Sequence, residues 1–492
     1  VTGKKKRSVA LRRRSPAEAV TRGAGEYGMT MLTSETTIDF IRDNRERYLD
    51  ELKAWIACPS VSADPARHHE VRRSAETVVA RMRAAGMTVA EVLETDGLPV
   101  AYGSWLHAPA GAPTVLIYGH HDVQPEDPIA LWTTPPFEGT VRDGKIFGRG
   151  SVDDKGQVLM HLAAIEAHLK TRGSLPINVK VVVEGEEEIG SPSFEAFLAR
   201  EKERLACDVV VVSDTAVFAE DVPSLTVSLR GVVHWDVTVR GPATDLHSGY
   251  FGGIVANPIE ALARMIATLR DETGKIAVPG FYDGVRELGD AERAELAALP
   301  FDVEREARAL GLDALAGGER ERLPLERMWT RPTLECNGIF GGYQGPGSKT
   351  IIPSFATVKI SARLVAGQDP AHVKRFVREA LERAVPAGLR VEIETGGDVR
   401  AVSTSRDHPA VEAAARAMER GFGKPPVFIG TGGTIGPVSS FDRILHLPQV
   451  LIGVGLPDDA IHAPNEKFDL GQFYGGIETM AFLYDELAES LG

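Results

Sequence analysis

The chain is poor in cysteine, with three in 492 residues. Cys58, Cys207 and Cys336 lie far apart and lack any metal-ligand spacing. A disulfide scaffold and a cysteine-based zinc site are therefore excluded, and a reducing compartment, the cytoplasm, is the expected setting. Long apolar runs are also missing. No window approaches 18 consecutive apolar residues, so no transmembrane helix is expected and no membrane partner with it. Positive charge is in deficit: the formal net charge is −14, which argues against nucleic acid as a partner because phosphates need cationic neutralisation. What is present is globular, 43% hydrophobic and 25% charged. The length supplies a sizeable core and more than one domain. No internal repeat interrupts it.

One segment runs against the acidic balance. Residues 1–28 carry eight basic side chains, clustered at Lys4–Arg7 and Arg12–Arg14 with Arg22 beyond, against Glu18 and Glu26. The stretch after Arg14, SPAEAVTRGAGEYG, is small and polar and supplies no apolar core for a secretory or twin-arginine leader. Residues 1–33 are expected to be a basic, disordered tail, or the product of an upstream start in a protein that ordinarily begins at Met29 or Met31.

From about Thr36 the pattern becomes globular. Residues 37–57 place Ile38, Ile41, Tyr48, Leu52, Trp55 and Ile56 near helical spacing. Short apolar runs then alternate with helical stretches: TVLIYG (114–119), VLMHLAAIEAHLK (158–170), INVKVVVEG (177–185), DVVVVSD (208–214). This predicts an α/β domain with a mostly parallel sheet covered on both faces. The pattern returns as a helix at 411–422, a buried strand at 448–455 and a last helix from about Gly475. Between these blocks, VVHWDVTVRG (232–241), a helix at 257–271, TLECNGIFG (333–341), TVKISARLV (357–365), a helix at 369–385 and LRVEIET (389–395) read β-α-β-β-α-β. That is a ferredoxin-like α+β unit. The expected division is a catalytic domain at 34–228 and 398–492, interrupted by an inserted domain at 229–397. Residues 280–330 read as helical and receive no role.

The polar residues fall where the strands end. TVLIYG runs into His120, His121 and Asp122. INVKVVV runs into Glu184, Glu186, Glu187 and Glu188, and DVVVV into Asp214. The strand at 448–455 leads to His462, and GRGSVDDKG (148–156) sets Asp153 and Asp154 before a helix. In open α/β sheets, groups beyond the carboxyl ends of strands converge. Singly, each has a plain alternative: a helix cap, a solvated glutamate run, a loop histidine. Together, so many carboxylates repel unless cations lie between them. Imidazole and carboxylate without thiolate suits Zn²⁺, Mn²⁺ or Co²⁺, and a spare glutamate beside two such ions could act as general base.

YGHHDVQP (118–125), GRGSVDDKG (148–156), EGEEEIGS (184–191), SDT (213–215), DLHSGYFGG (245–253) and HAPNEKF (462–468) resemble, in order, the motifs of the dimetal aminopeptidase/carboxypeptidase family. That family, metallopeptidase family 20, includes carnosinase-like dipeptidases, acetylornithine deacetylase and succinyl-diaminopimelate desuccinylase. The resemblance implies two divalent ions per subunit, Zn²⁺ foremost, held by His120, Asp153, Glu188, Asp214 and His462. Asp153 would bridge them and precede a cis peptide; His120 would pair with Asp214 on one ion and Glu188 with His462 on the other. Glu187 would be the general base and Asp122 the accessory carboxylate, while His121 fills a variable position. The inserted domain would be a lid through which a homodimer forms, and His247 in DLHSG would reach the partner subunit's active site to stabilise an oxyanion. Its plain alternative is a turn histidine making local hydrogen bonds.

Arg363 in SARLV matches the arginine that receives a substrate carboxylate, with a surface charge as the alternative. GTGGTIGPV (430–438) resembles the family's substrate loop, with Gly433 and Thr434 as candidates, although Gly430, Thr431 and Gly436 depart from its pattern. YGHHDVQP, and the resemblance of GGYQGPGSKTIIP (341–353) to a bacterial dipeptidase loop, favour the dipeptidase branch and a small peptide substrate. The latter loop is not a phosphate loop, because Lys349 follows Ser348 rather than glycine. An N-acyl-amino-acid deacylase using the same site, and a catalytically inactive binding scaffold, are the competing readings.

Overall fold

The computed structural model describes residues 34–492. The expectation of a disordered tail at 1–33 lies outside the described residues. Nine strands form the central sheet: β1 (Val89–Leu93), β2 (Val100–Trp105), β3 (Thr114–His120), β6 (Asn178–Glu184), β7 (Val209–Val212), β8 (Ser224–Leu229), β15 (Val402–Ser403), β16 (Val427–Thr431) and β17 (Gln449–Leu451). Its centre, β6-β3-β7-β17, is parallel, and its flanks are antiparallel apart from the parallel pair β16–β8.

The apolar runs have a simple cause. Along β3, Val115 and Ile117 enter one core while Leu116 and Tyr118 enter another. On β7, Val209 and Val211 likewise part from Val210 and Val212. A strand clothed on both faces needs an apolar residue at every position. Helices Lys155–Arg172, Pro409–Phe422 and Leu470–Leu491 supply the first core, and Phe194–Arg200 and Gly436–Leu445 the second.

A second sheet is antiparallel, in the order β11-β13-β9-β14, from β9 (Gly231–Arg240), β11 (Thr333–Gly341), β13 (Phe355–Leu364) and β14 (Arg390–Val399). With helices Pro258–Ala267 and Pro370–Ala384 between its strands, it has the ferredoxin-like order read from the sequence. Val233, Trp235, Val237 and Val239 alternate inward beneath those helices, whereas His234 and Arg240 face outward. β10 (Leu246–His247) pairs with β12 (Ile351–Ile352). A three-stranded sheet joins β4 (Thr140–Arg142), β5 (Lys145–Phe147) and β18 (Lys467–Asp469).

Four boundaries differ from the expectation. The first helix is interrupted at Asn44, whose side-chain amide donates to the Phe40 carbonyl. The buried helix starts at Lys155, directly after Asp154. The late strand is only Gln449–Leu451; beyond it the chain stays alongside the segment after β7 through isolated hydrogen bonds at Ile452 and Gly455 rather than a continuous ladder. The last helix starts at Leu470, because Asp469 Oδ1 accepts from Gly471 and Gln472 N–H. Its early glycines hide that start from a pattern reading. No helix among the described residues is long and apolar enough to cross a membrane.

Candidate active site

Because β3, β6 and β7 run parallel, His120, Glu184 and the Ser213–Asp214 pair leave the sheet at one edge. Gly119 is required here: a Cβ would stand 2.4 Å from Val158 and 2.5 Å from the Asp154 carboxylate. His120 is fully buried. Its Nδ1 faces the Asp122 carbonyl at 3.1 Å and Asp122 Oδ1 at 3.4 Å. A carbonyl can only accept, so Nδ1 carries the proton and Nε2 is left as the ligand nitrogen. That Nε2 lies 3.0 Å from Asp153 Oδ1.

The other oxygen of Asp153, Oδ2, lies 3.0 Å from His462 Nε2, which is itself 3.1 Å from Glu188 Oε2. One carboxylate thus spans two histidines delivered from opposite ends of the chain. His120, Asp153 and Glu188 present ligand atoms all within 4.8 Å of one another. The Asp153–Asp154 peptide is cis. His462 adopts φ 61°, rare without glycine, at a cost of roughly 1–3 kcal/mol. Its side chain is 53% exposed, so the cluster is open on this flank.

Asp122 also organises the acidic run. Its Oδ1 accepts from Glu187 N–H (3.3 Å) and its Oδ2 from Glu188 N–H (3.1 Å). Glu188 is gripped again by Gln124, through its backbone N–H (3.1 Å) and its side-chain amide (2.9 Å). Asp154 turns back, accepting from His120 N–H.

The charges bear the mark of crowding. Burial pushes the Glu187 carboxyl up to about 7; His120 opposes the rise, and Glu188 and Asp153 add to it. Burial, then Asp153, raises Glu188. Asp214 is held well above its ordinary range by burial and by Asp153 and Asp154, so it faces the same acidic centre. For Asp153, burial acts upward but is outweighed by hydrogen bonds from His120 and His462, which hold it low. Hydrogen bonds to Asp153 and Glu188 raise His462 to about 10. Protons and imidazolium charge thus do what cations do in such a site, and the nitrogen and oxygen donors fit divalent ions.

His121 stands apart from this centre. It is buried, pointing Nε2 at the Pro99 carbonyl, with its pKa lowered to about 4 by burial. Arg363, on β13 of the second sheet, and Thr434, in the loop after β16, are brought together: Arg363 Nη1 donates to Thr434 Oγ1 at 2.7 Å, and that hydroxyl donates to the Arg230 carbonyl at 2.5 Å. Gly433 is not joined to them; its N–H donates to Thr431 Oγ1. His247 is exposed and its contacts are local. Nδ1 accepts from Gly249 N–H at 3.0 Å, which puts the neutral ring's proton on Nε2, and the ring lies against Tyr250.

Two supporting residues escaped the sequence reading. Gln124 lies inside YGHHDVQP without a role. Glu466, in HAPNEKF, accepts from Arg149 (2.8 Å) and from the backbone N–H groups of Gly150, Val152 and Asp153. Membership of the motifs was their available signal.

Comparisons with known proteins give the family. Residues 116–486 match Peptidase family M20/M25/M40. The chain is 33% identical over 465 residues to the Cys-Gly metallodipeptidase dug1 of Schizosaccharomyces pombe, covering 92% of this chain and 97% of that protein. It is 31% identical over 471 residues to the Beta-Ala-His dipeptidase of Homo sapiens, covering 92% and 93%. Among solved structures, an M20 family metallo-carboxypeptidase from Sulfolobus solfataricus superposes with a TM-score of 0.77 at 32% identity, over 90% of this chain and 99% of that one. The chain belongs to peptidase family M20/M25/M40.

Proposed function

We propose that the chain is a metallodipeptidase, hydrolysing the peptide bond of dipeptides or similarly short peptides. The observation that carries this reading is the Asp153 carboxylate, divided between His120 and His462 with Glu187 beside it. The relatives' names, Cys-Gly and Beta-Ala-His dipeptidase, supply the substrate class.

His120, Asp153, Glu188, Asp214 and His462 would hold two divalent ions, Zn²⁺ foremost, with Mn²⁺ or Co²⁺ as alternatives. When bound, such ions supply Lewis acidity to the scissile carbonyl and to a water. Glu187 takes the proton of the attacking water and passes it to the leaving amine, a task for which a carboxyl raised towards neutrality is suited. Asp122 fixes the His120 ring and the backbone at Glu187 and Glu188. Arg363, steadied by Thr434, receives the terminal carboxylate, while Gly433 shapes the loop beside it.

The unit at 229–397 is a lid that closes a homodimer. Exposed Tyr250, Phe251, Ile254, Ile259, Ile339 and Phe340 on that unit support this. In the dimer, His247 turns its protonated Nε2 towards the partner subunit's developing oxyanion. Three unpaired cysteines suit a cytoplasmic setting.

The test is a panel of dipeptides set against N-acetyl and N-succinyl amino acids, with the protein reconstituted in Zn²⁺ or Mn²⁺. Hydrolysis confined to the acylated amino acids would overturn the dipeptidase reading in favour of a deacylase. In the same assay Glu187→Ala is expected to keep its metal and lose about 10²–10⁴-fold in turnover. Wild-type activity in that variant would refute the general base.

A further inference from the structure

The stretch at 280–330, which reads as helical without a role, builds a second cavity. Helices Val303–Ala309 and Pro324–Trp329 and the connection between them, together with Arg230 and residues from 270–282 and 331–335, wrap a space of about 410 Å³. Its walls include Phe301, Leu310, Leu312, Leu315 and Met328, and none of the proposed metal ligands lines it. Leu310, Leu312 and Met328 are exposed, so large apolar side chains surround it without covering one another.

Four arginines and three glutamates also line this space, and their pairing is uneven. Glu319 is tied to Arg331 through both oxygens, Glu335 to Arg270, and Glu306 to Arg305. Arg230 and Arg327 are left. Among the described residues neither forms an ion pair. Arg230 Nε and Nη1 and Arg327 Nε are buried donors without a hydrogen-bond partner. Arg327 is otherwise spent on the Leu315 and Gly317 carbonyls, which orient it.

Buried guanidinium N–H groups are costly to leave unpaired, and an anion entering the space would satisfy them. The Arg230 guanidinium is already lowered to about 10, by burial and then by neighbouring Arg363. Glu335 opposes that fall but is itself held by Arg270, so the unpaired guanidinium donors still lack an anion of their own. The planar fork of arginine suits a carboxylate.

We propose that this cavity binds a small amphipathic carboxylate, its head on Arg230 and Arg327 and its apolar body against Leu310, Leu312, Leu315 and Met328. The space admits a group the size of a large apolar side chain. Arg230 sits between the last residue of β8 and the first of β9, and its carbonyl anchors Thr434. Arg363 is left to receive the terminal carboxylate of a peptide substrate, so the carboxylate bound in the cavity comes from a free fatty or aryl acid.

The probe is 4-phenylbutyrate, titrated calorimetrically into the full chain, once with chelator and once with excess Zn²⁺. Saturable one-to-one binding is expected in both. It should weaken about tenfold or more in Arg230→Gln and in Arg327→Gln, and for uncharged 4-phenylbutyramide. Leu315→Trp, which fills the space and keeps both arginines, should abolish it; circular dichroism checks that each variant is folded. An unchanged KM for the dipeptide in the presence of 4-phenylbutyrate is expected and upholds a separate site. Competitive inhibition of dipeptide hydrolysis would place the acid in the substrate site and overturn it. Absence of saturable binding, or binding indifferent to the amide and to all three variants, would overturn it. The chelated arm reads the cavity apart from the metal site, so failure of the dipeptidase reading is seen separately.

Discussion

Asp122 shows how much one side chain can hold. Its carboxylate meets the His120 ring on one side and two successive backbone N–H groups on the other. Removing it frees the ring and the Glu187–Glu188 backbone together. Asp122→Ala should therefore lower divalent-metal affinity about 10–100-fold, measured by competition with a chromogenic chelator, with turnover falling alongside. Asp122→Asn keeps one acceptor oxygen and should lose less. Metal binding as tight as wild type in the alanine variant would show that Asp122 has no part in positioning the ligands. Of the proposed metal donors, His120, Asp153, Glu188 and Asp214 can be singled out in the sequence because each ends or follows a strand or precedes a helix within a few residues, whereas His462 stands eleven residues beyond β17. Gln124 was not, since its grip on Glu188 exists only once β3 and β6 are paired.

At the scale of the element, the loop from Arg149 to Asp153 has no secondary structure of its own to fix it. β5 enters it and pairs with β18, and that pairing sets Glu466 alongside. Glu466 then satisfies three backbone donors and the buried guanidinium of Arg149. Arg149 is 1% exposed, so losing its partner strands a charge. Glu466→Ala should cost about 3–5 kcal/mol in urea unfolding and reduce metal content, because Asp153 hangs from the same loop. A fall below 1 kcal/mol would mean the loop is held elsewhere. None of this shows in the sequence, where the partners stand more than three hundred positions apart. By contrast β9 and β13 of the second sheet were legible, because one apolar face imposes alternation on them. The final helix was misread at its start: cap chemistry at Asp469 outweighed the glycines that blur the periodic pattern.

For the molecule as a whole, the centre behaves as a store of protons that cations would displace. His120 is raised well above the ordinary range by hydrogen bonds to Asp122 and Asp153, which outweigh burial, and His462 reaches about 10. In the unfolded chain both titrate near 6.5. From pH 6.5 to 8 the unfolded state sheds these protons and the metal-free fold keeps them. The fold then binds more protons than the unfolded chain, so its stability falls as pH rises. Glu187, raised to about 7, acts in the same direction until it ionises. His462 is more than half exposed, so solvent screens its share and buried His120 carries more of the effect. Groups of opposite sign act mainly towards the edges of this window. His121, His161 and His168, lowered by burial to about 4, about 3 and about 4, cost stability chiefly below about pH 7, and Lys155, lowered to about 8, opposes the fall only near and above that value. Divalent ions require the deprotonated ligands and bind the folded state, so they reverse the slope. The melting temperature of chelated protein should drop between pH 6.5 and 8, while protein saturated with Zn²⁺ or Mn²⁺ should hold or rise. The gap between the two curves therefore widens with pH. Parallel curves would mean that metal and protons do not compete at His120 and His462, and the ligand assignment would fall with them.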